Sequence, residues 1–340
     1  MNVLGIETSC DETSASVVHD GIVRSNIVSS QLVHRMYGGV VPELASRAHQ
    51  RMIIDVVEEA LRTAGIAKGD IGLIAATYGP GLAGALLVGL SFAKALAFGL
   101  RIPFVGVNHM EGHLYSNFLT PSPPAYPFLA LIVSGGHTML VLVRRPFVHQ
   151  LLGETRDDAA GEAFDKTARM LGIGYPGGPI IDAIAREGNP AAIRFPRAFL
   201  ENGSYDFSFS GVKTAVLYYL RDRGLLADAP GECVIDRPHL ADICASFQKA
   251  VVDVLVAKTI SAAREFSVRD IAVAGGVSAN THLRARMAEE ASRLGMRSLS
   301  PPLEYCMDNG AMIAYVGWLR GQRGERSAND LTAIPNLALG

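Results

Sequence analysis

The stretch Asn108-His109-Met110-Glu111-Gly112-His113 places two transition-metal ligands at ligand spacing. Residues four apart share a helix face, so His109 and His113 can grip one ion, while Glu111 points elsewhere. In H-E-x-x-H metalloproteases the acid directly follows the first histidine and can reach the metal-bound water; here it does not. With 9 histidines in 340 residues, chance would supply such a pair about one time in four, so the spacing needs other features beside it.

Those features are glycine-rich turns. Gly79-Pro80-Gly81-Leu82-Ala83-Gly84 formally matches the dinucleotide fingerprint, but no acid follows between Asp70 and Glu111 to hold a ribose. It reads instead as a turn that lets a helix pack closely or approach a ligand. Ser134-Gly135-Gly136-His137-Thr138 can converge backbone N–H groups on an anion. Gly275-Gly276-Val277-Ser278-Ala279-Asn280, between a buried strand and a helix, suits a nucleotide at a helix N-terminus. Asp158, Glu162 and Asp165 lie close to one face of a helical stretch, as ligand contacts or as a solvated acidic face.

Other chemistries are excluded. The sequence contains no G-x-x-x-x-G-K-[ST] and no G-x-S-x-G, which removes a P-loop and an ordinary serine hydrolase. Cys10, Cys233, Cys244 and Cys306 form no C-x-x-C pair and no short disulfide framework, which points to a reduced cytosolic setting. The first residues run into Glu7, Asp11 and Glu12 and do not read as a signal peptide. Residues 71–93 lack charge, but Gly79-Pro80-Gly81 interrupts them, so they read as a buried strand and a buried helix of a soluble chain. A net charge of -2 excludes a globally basic nucleic-acid binder.

The elements that must position these residues follow from apolar patterning. Strands are expected at 3–6, 15–18 and 22–27, around a polar turn at 7–13. Leu44, Ile53, Val56, Val57, Ala60 and Leu61 recur at helical spacing over 42–64, with Gly65 as a stop. Strands follow at 71–76 and 102–107, the latter feeding a helix through 119. Four prolines over 120–127 mark a boundary. Strand, glycine turn, strand then recurs over 128–143, suggesting a duplicated architecture. Beyond it come a helix at 157–171, a rigid turn at 175–179 with Asp182 beginning the next helix, and a half-buried strand at 206–214 leading to a helix. Residues 225–238 read as a loop, 240–264 as a long helix, 271–274 as a buried strand. Residues 304–309 lead into an apolar helix through 319, with Asp308 read as a plain N-cap, and the remainder is polar and irregular.

Together, Glu7-Thr8-Ser9-Cys10-Asp11-Glu12-Thr13, Gly38-Gly39-Val40-Val41-Pro42-Glu43, the segments 108–113, 133–138, 157–166, 207–214 and 275–280, and Asp308-Asn309-Gly310 resemble the TsaD family. These are bacterial tRNA adenosine N6-threonylcarbamoyltransferases, formerly labelled glycoprotein endopeptidases. The resemblance runs from residue 2 to about 318. It implies an α/β fold of the duplicated actin-like, ribonuclease H-like ATPase type, with two subdomains, 1–122 and 123–322, a central cleft, and a tail at 323–340.

The resemblance also implies the reaction: threonylcarbamoyl passes from threonylcarbamoyl-adenylate to N6 of adenosine 37 in tRNAs reading codons that begin with A, and AMP leaves. His109, His113 and Asp308 would hold one divalent metal, usually iron, Fe(2+), with zinc, Zn(2+), also suited to the set. Ile132, Val133, Ser134, Gly135 and Gly136 would cradle the adenylate and metal region. Asp165, Gly178, Asp182 and Asn280 would hold ribose and adenine, and Asp11 would act in catalysis, orienting or deprotonating the amine. The implied partners are tRNA, a TsaB-like paralogue and a TsaE-like ATPase, in the cytoplasm without a membrane. For tRNA the chain offers only small basic clusters: Arg144-Arg145, Arg194 with Arg197, and Arg320, Arg323 and Arg326. Two other readings compete: a metallopeptidase sharing the histidine pair, and a non-enzymatic nucleotide-binding actin-like module.

Overall fold

The structure is a computed structural model describing residues 1–31, 39–198, 203–227 and 232–339. Gly38 of the second quoted motif and 228–231 of the expected loop lie outside the described residues.

The chain divides into two compact units, Met1–Ser122 with Pro301–Gly340, and Pro123–Ser300. The C-terminal limit differs from the expected one: everything from Pro301 onward, including residues 301–322 and the tail, belongs to the first unit. The reason is long-range packing. Helix α9 (Gly310–Gln322) lies on strands β1 (Asn2–Glu7), β2 (Glu12–His19) and β4 (Ile71–Gly79). A Cβ at Gly5 would collide with the backbone of Gly310 and Ala314, so only glycine lets α9 come this close to β1.

The first sheet has the order β3-β2-β1-β4-β5, with β3 at Ile22–Ser30 and β5 at Phe104–Asn108. The second has the order β10-β9-β6-β7-β8, where β6 is Phe128–Val133, β7 Thr138–Arg145, β8 Val148–Glu154, β9 Asp270–Ala274 and β10 Arg297–Leu299. Read from the other edge, the second order repeats the first. In each sheet the first three strands pair antiparallel and the last two join in parallel. The strand, turn, strand repeat in the sequence is therefore a duplicated fold.

Helices complete each unit. Helix α1 (Pro42–Ala64) has Pro in its first turn, buries Ile53, Val56, Val57, Ala60 and Leu61, and stops at Gly65. Helix α2 (Ala83–Leu100) is long and apolar enough to cross a membrane, but it buries Leu86, Leu90 and Ala93 against the first sheet and α1. Helix α3 (His109–Ser116) is wholly buried. The second unit adds α4 (Ala160–Met170), α5 (Gly177–Ala185), α6 (Ser210–Arg221), α7 (Arg237–Glu265) and α8 (Thr281–Arg293). Helix α7 forms the spine of that unit's core through residues such as Phe247, Val251 and Leu255.

Three local expectations are corrected. Asp182 sits within α5, which begins at Gly177, five residues earlier than expected. No half-buried strand forms over 206–214: Phe207 makes a single bridge with Thr155 and the chain enters α6. Asp157 causes this turn, accepting from the hydroxyls of Ser208 and Ser210 and the N–H groups of Phe209 and Ser210. Finally, the N-cap of α9 is Asn309, whose side chain accepts from the Met312 N–H, which leaves Asp308 for another task.

Candidate functional site

In the first unit, parallel strand β5 delivers its C-terminal end to α3, and Asn108 caps that helix by accepting from the Met110 N–H at 2.8 Å. The next residue is His109, and His113 follows one turn later. Asp308 arrives from the turn before α9. One ligand atom from each of His109, His113 and Asp308 lies within 4.8 Å of the others. The two imidazoles meet edge to face at 4.6 Å.

These three side chains fit a metal ion by an independent observation. His113 is fully buried, yet neither ring nitrogen has a hydrogen-bond partner. Its Nε2 lies 3.0 Å from Asp308 Oδ1, so an imidazole lone pair and a carboxylate oxygen are close enough to share one cation. A buried imidazole poor in hydrogen bonds is costly unless something else satisfies it. Two imidazoles and one carboxylate leave coordination positions open for substrate.

Behind His109 stands Glu7, at the end of β1. Its Oε2 lies 3.0 Å from His109 Nδ1 and accepts from the Thr77 hydroxyl at 2.6 Å, while its Oε1 accepts from the Ser9 N–H. Burial alone would lower the His109 pKa, but Asp308 and Glu7 hold it well above the ordinary imidazole value. The same burial would raise Glu7, and His109 outweighs it, so Glu7 is lowered. The site thus favours positive charge at its centre.

Asp11, the expected catalytic residue, lies half-buried in the turn between β1 and β2. Beside it, Glu12 is pushed well above the usual carboxylate range by burial, by the Asp308 carboxylate and by the Asp11 carboxylate, the last of which it also hydrogen-bonds. Glu7 and Glu12 were missed as site residues. The available signal was their position, acids next to the ends of buried strands in an unusually polar turn. Glu111 does point away from the metal ligands: it is buried and its Oε2 accepts from Arg320 at 2.7 Å.

In the second unit, Ile132 and Val133 end β6, and Ser134 to Gly136 turn into β7, with Ser134 N–H donating to His137 O and Ser134 Oγ accepting from the His137 N–H. An added Cβ at Gly135 or Gly136 would meet nothing within 4 Å, so this turn faces open space. Gly275 adopts a positive φ of 84°, and a Cβ there would strike the Val133 carbonyl.

Asp165 accepts from the Gly177 N–H at 2.7 Å, tying α4 to the start of α5 next to Gly178. Asp182 accepts from the Thr281 hydroxyl at 2.9 Å, joining α5 to α8. Asn280 caps α8 by accepting from the Leu283 N–H and donates to Gln248 Oε1 at 2.7 Å. Asp165 on α4 and Asp182 on α5 therefore each accept from the start of another helix in a group that also holds Gly178 and Asn280. By contrast, Asp158 pairs with Lys166 and Lys213, and Glu162 with Lys166.

The basic clusters are also partly committed. Arg197 pairs with Asp253, Arg320 with Glu111 and Glu325, and Arg323 with Glu325. Arg144, Arg145 and Arg194 are exposed.

Residues 22–315 match the sequence model of a family described as TsaD: tRNA N6-adenosine threonylcarbamoyltransferase. The chain belongs to this family. TsaD-family relatives carrying the same description match along the whole chain. The protein from Salinibacter ruber is 57% identical over 340 residues, covering 100% of both chains. That from Prosthecochloris aestuarii is 50% identical over 347 residues, covering 98% of each. A Clostridium botulinum relative is 52% identical, covering 100% of this chain and 98% of its own. The chain is thus a transferase of the tRNA-modifying class.

Solved structures agree on the fold. Full-length HypF in its phosphate- and nucleotide-bound form superposes with a TM-score of 0.62 at 13% identity, over 96% of this chain and 47% of its own. The activator of 2-hydroxyisocaproyl-CoA dehydratase from Clostridium difficile, with bound ADPNP, gives a TM-score of 0.52 at 14% identity, over 96% of this chain and 99% of its own. At such identities the likeness concerns the duplicated ATPase-type fold alone.

Proposed function

We propose that this TsaD-family chain transfers threonylcarbamoyl from threonylcarbamoyl-adenylate to N6 of adenosine 37 in tRNAs reading codons that begin with A, releasing AMP. The observation that carries the reading is the convergence of His109, His113 and Asp308 within 4.8 Å in a member of this family. These residues hold one divalent ion, Fe(2+) in preference to Zn(2+). When bound, the ion supplies a fixed positive charge that orients the donor and offsets charge on the departing phosphate.

The adenosine N6 attacks the carbamoyl carbonyl, the bond from that carbon to the phosphate oxygen breaks, and the amine loses one proton. An exocyclic amine conjugated to a purine is a poor nucleophile, so alignment must supply much of the rate. Asp11 orients this amine or takes its proton. The N–H groups of the turn at Ser134, Gly135 and Gly136 steady the developing oxyanion or the donor phosphate, a role supported by the open space around both glycines. Ile132 and Val133 set that turn, and Asp165, Gly178, Asp182 and Asn280 hold the nucleoside.

The tRNA is held in part by exposed Arg144, Arg145 and Arg194 and in part by partner proteins, a TsaB-like paralogue and a TsaE-like ATPase, in the cytoplasm. A metallopeptidase would need a base beside the metal water, and the Glu111 carboxylate is instead paired with Arg320.

The test is nucleoside analysis of tRNA after incubation with metal-loaded protein, its partners and threonylcarbamoyl-adenylate. Modified adenosine and stoichiometric AMP are expected. Unmodified tRNA with intact donor would contradict the reading, and Asp11→Ala protein with full activity would take Asp11 out of the reaction.

A further inference from the structure

The C-terminal segment carries no motif, yet it runs directly to the turn that presents His109. Strand β5 is the last in its sheet, and an edge strand leaves backbone groups unpaired. The segment covers that edge: Ser327 N–H donates to Phe104 O at 2.8 Å, and Gly106 N–H donates to Ser327 Oγ at 2.9 Å. It then crosses the C-terminal end of β4, where Ile334 N–H donates to Tyr78 O at 2.8 Å and Gly81 N–H donates to Pro335 O at 3.0 Å. Farther along it meets Asn108, whose Nδ2 donates to Ala338 O at 2.9 Å.

Asn108 is buried and uses both ends of its amide. Oδ1 accepts from the Met110 N–H and so fixes the first turn of α3, while Nδ2 is anchored on the segment. A free asparagine amide can rotate about its last torsion; one held at both ends cannot, and the turn beginning at His109 inherits that constraint. Further along α3, Glu111 is tied by Arg320, which also pairs with Glu325 at the head of the same segment. The helix that contributes two of the three ligands is therefore gripped twice by chain that follows Asp308.

We infer that Asn108 is a positioning residue of the metal site, transmitting the docking of residues 334–338 to His109 and His113. The inference rests on the metal reading above. It makes the C-terminal segment an outer layer of the site, since groups that orient metal ligands typically change affinity by about 10–100-fold when removed.

The experiment is competition for Zn(2+) between a fluorescent chelator and four purified chains: the parent, Asn108→Ser, a chain lacking residues 336–340, and the combination. Serine retains the cap on the Met110 N–H but cannot reach Ala338, so helicity is kept while the link is cut. Each single change is expected to weaken zinc binding about tenfold, and the combination should be no weaker than the shortened chain alone, because the bond that the serine removes is already absent there. Unchanged affinity in both single variants would overturn the inference, as would losses that multiply in the combination. If the serine variant does not fold, the shortened chain decides by itself, with parent-like affinity counting against the inference. A parent chain that takes up no zinc would remove the metal reading and this inference together, while a fifth chain, His109→Ala, marks the baseline of a lost ligand.

Discussion

Glu7 Oε2 lies 3.0 Å from His109 Nδ1, on the side of the ring away from Asp308. The carboxylate is itself held by the Thr77 hydroxyl, so the imidazole is fixed in orientation and tautomer with Nε2 left to face a cation. Glu7→Ala should therefore weaken metal binding by about 10–100-fold, and Glu7→Gln, which can still accept from Nδ1–H, by less. Chelator competition measures both. Equal affinity across parent, Gln and Ala chains would show that Glu7 does not support the ring.

A second carboxylate supports the fold of the second unit. Asp270 accepts from the Arg297 guanidinium and from the Ala125 N–H at 2.7 Å. Burial would raise its pKa, but Arg297 and the Ala125 N–H outweigh burial and lower it. A lowered folded-state pKa means the stabilisation is complete above the unfolded value of about 3.9 and fades as pH falls through the folded one. Asp270→Asn should cost about 1–3 kcal/mol at pH 7, with the gap to the parent closing below about pH 4. Denaturant titrations at pH 7 and pH 3 test this, and a gap that stays constant would refute it.

Gly275 combines a positive φ of 84° with contact against the Val133 carbonyl. Gly275→Ala must both strain the backbone and push on the end of β6, next to the open Ser134 turn. A loss of about 1–3 kcal/mol is expected, read as a lower midpoint in thermal or chemical unfolding. An unchanged midpoint would mean that the close approach of β9 to β6 is not rigid.

Asn280 permits a separation of structural from ligand roles. Asn280→Ala removes the α8 cap and should cost about 0.5–2 kcal/mol. Asn280→Asp retains the cap, and Gln248 can turn its amide to donate. If Asn280 also holds the nucleoside, AMP affinity measured calorimetrically should fall in the Asp chain while its stability stays near that of the parent. Parent-like AMP binding would take Asn280 out of the nucleoside site.

Much of this architecture was legible because its signals are local. Apolar runs and their breaks at Gly65, Ser134 and Gly275 mark strands and helices within a few residues, and the repeated strand-turn-strand pattern reveals the duplication. The spacing of His109 and His113 is a one-turn relationship, also local. Asp308 is different: its place beside His113 depends on α9 packing against β1 through Gly5, which no nearby pattern announces. The same long-range packing explains why residues 301–340 join the first unit. Glu7 and Glu12 were hidden for another reason, since isolated acids in a turn look alike whether solvated or buried. The stretch Ser208-Phe209-Ser210 alternates like a strand, and only its hydrogen bonds to Asp157 reveal a helix start.

Whether the three-residue metal site drives the transfer is decided by metal content and tRNA modification measured on the same preparations of parent and Asp308→Ala protein. One metal per parent chain is expected, and in the variant a loss of both bound metal and transferred threonylcarbamoyl. An Asp308→Ala chain that retains one metal and modifies tRNA at the parent rate would contradict this expectation.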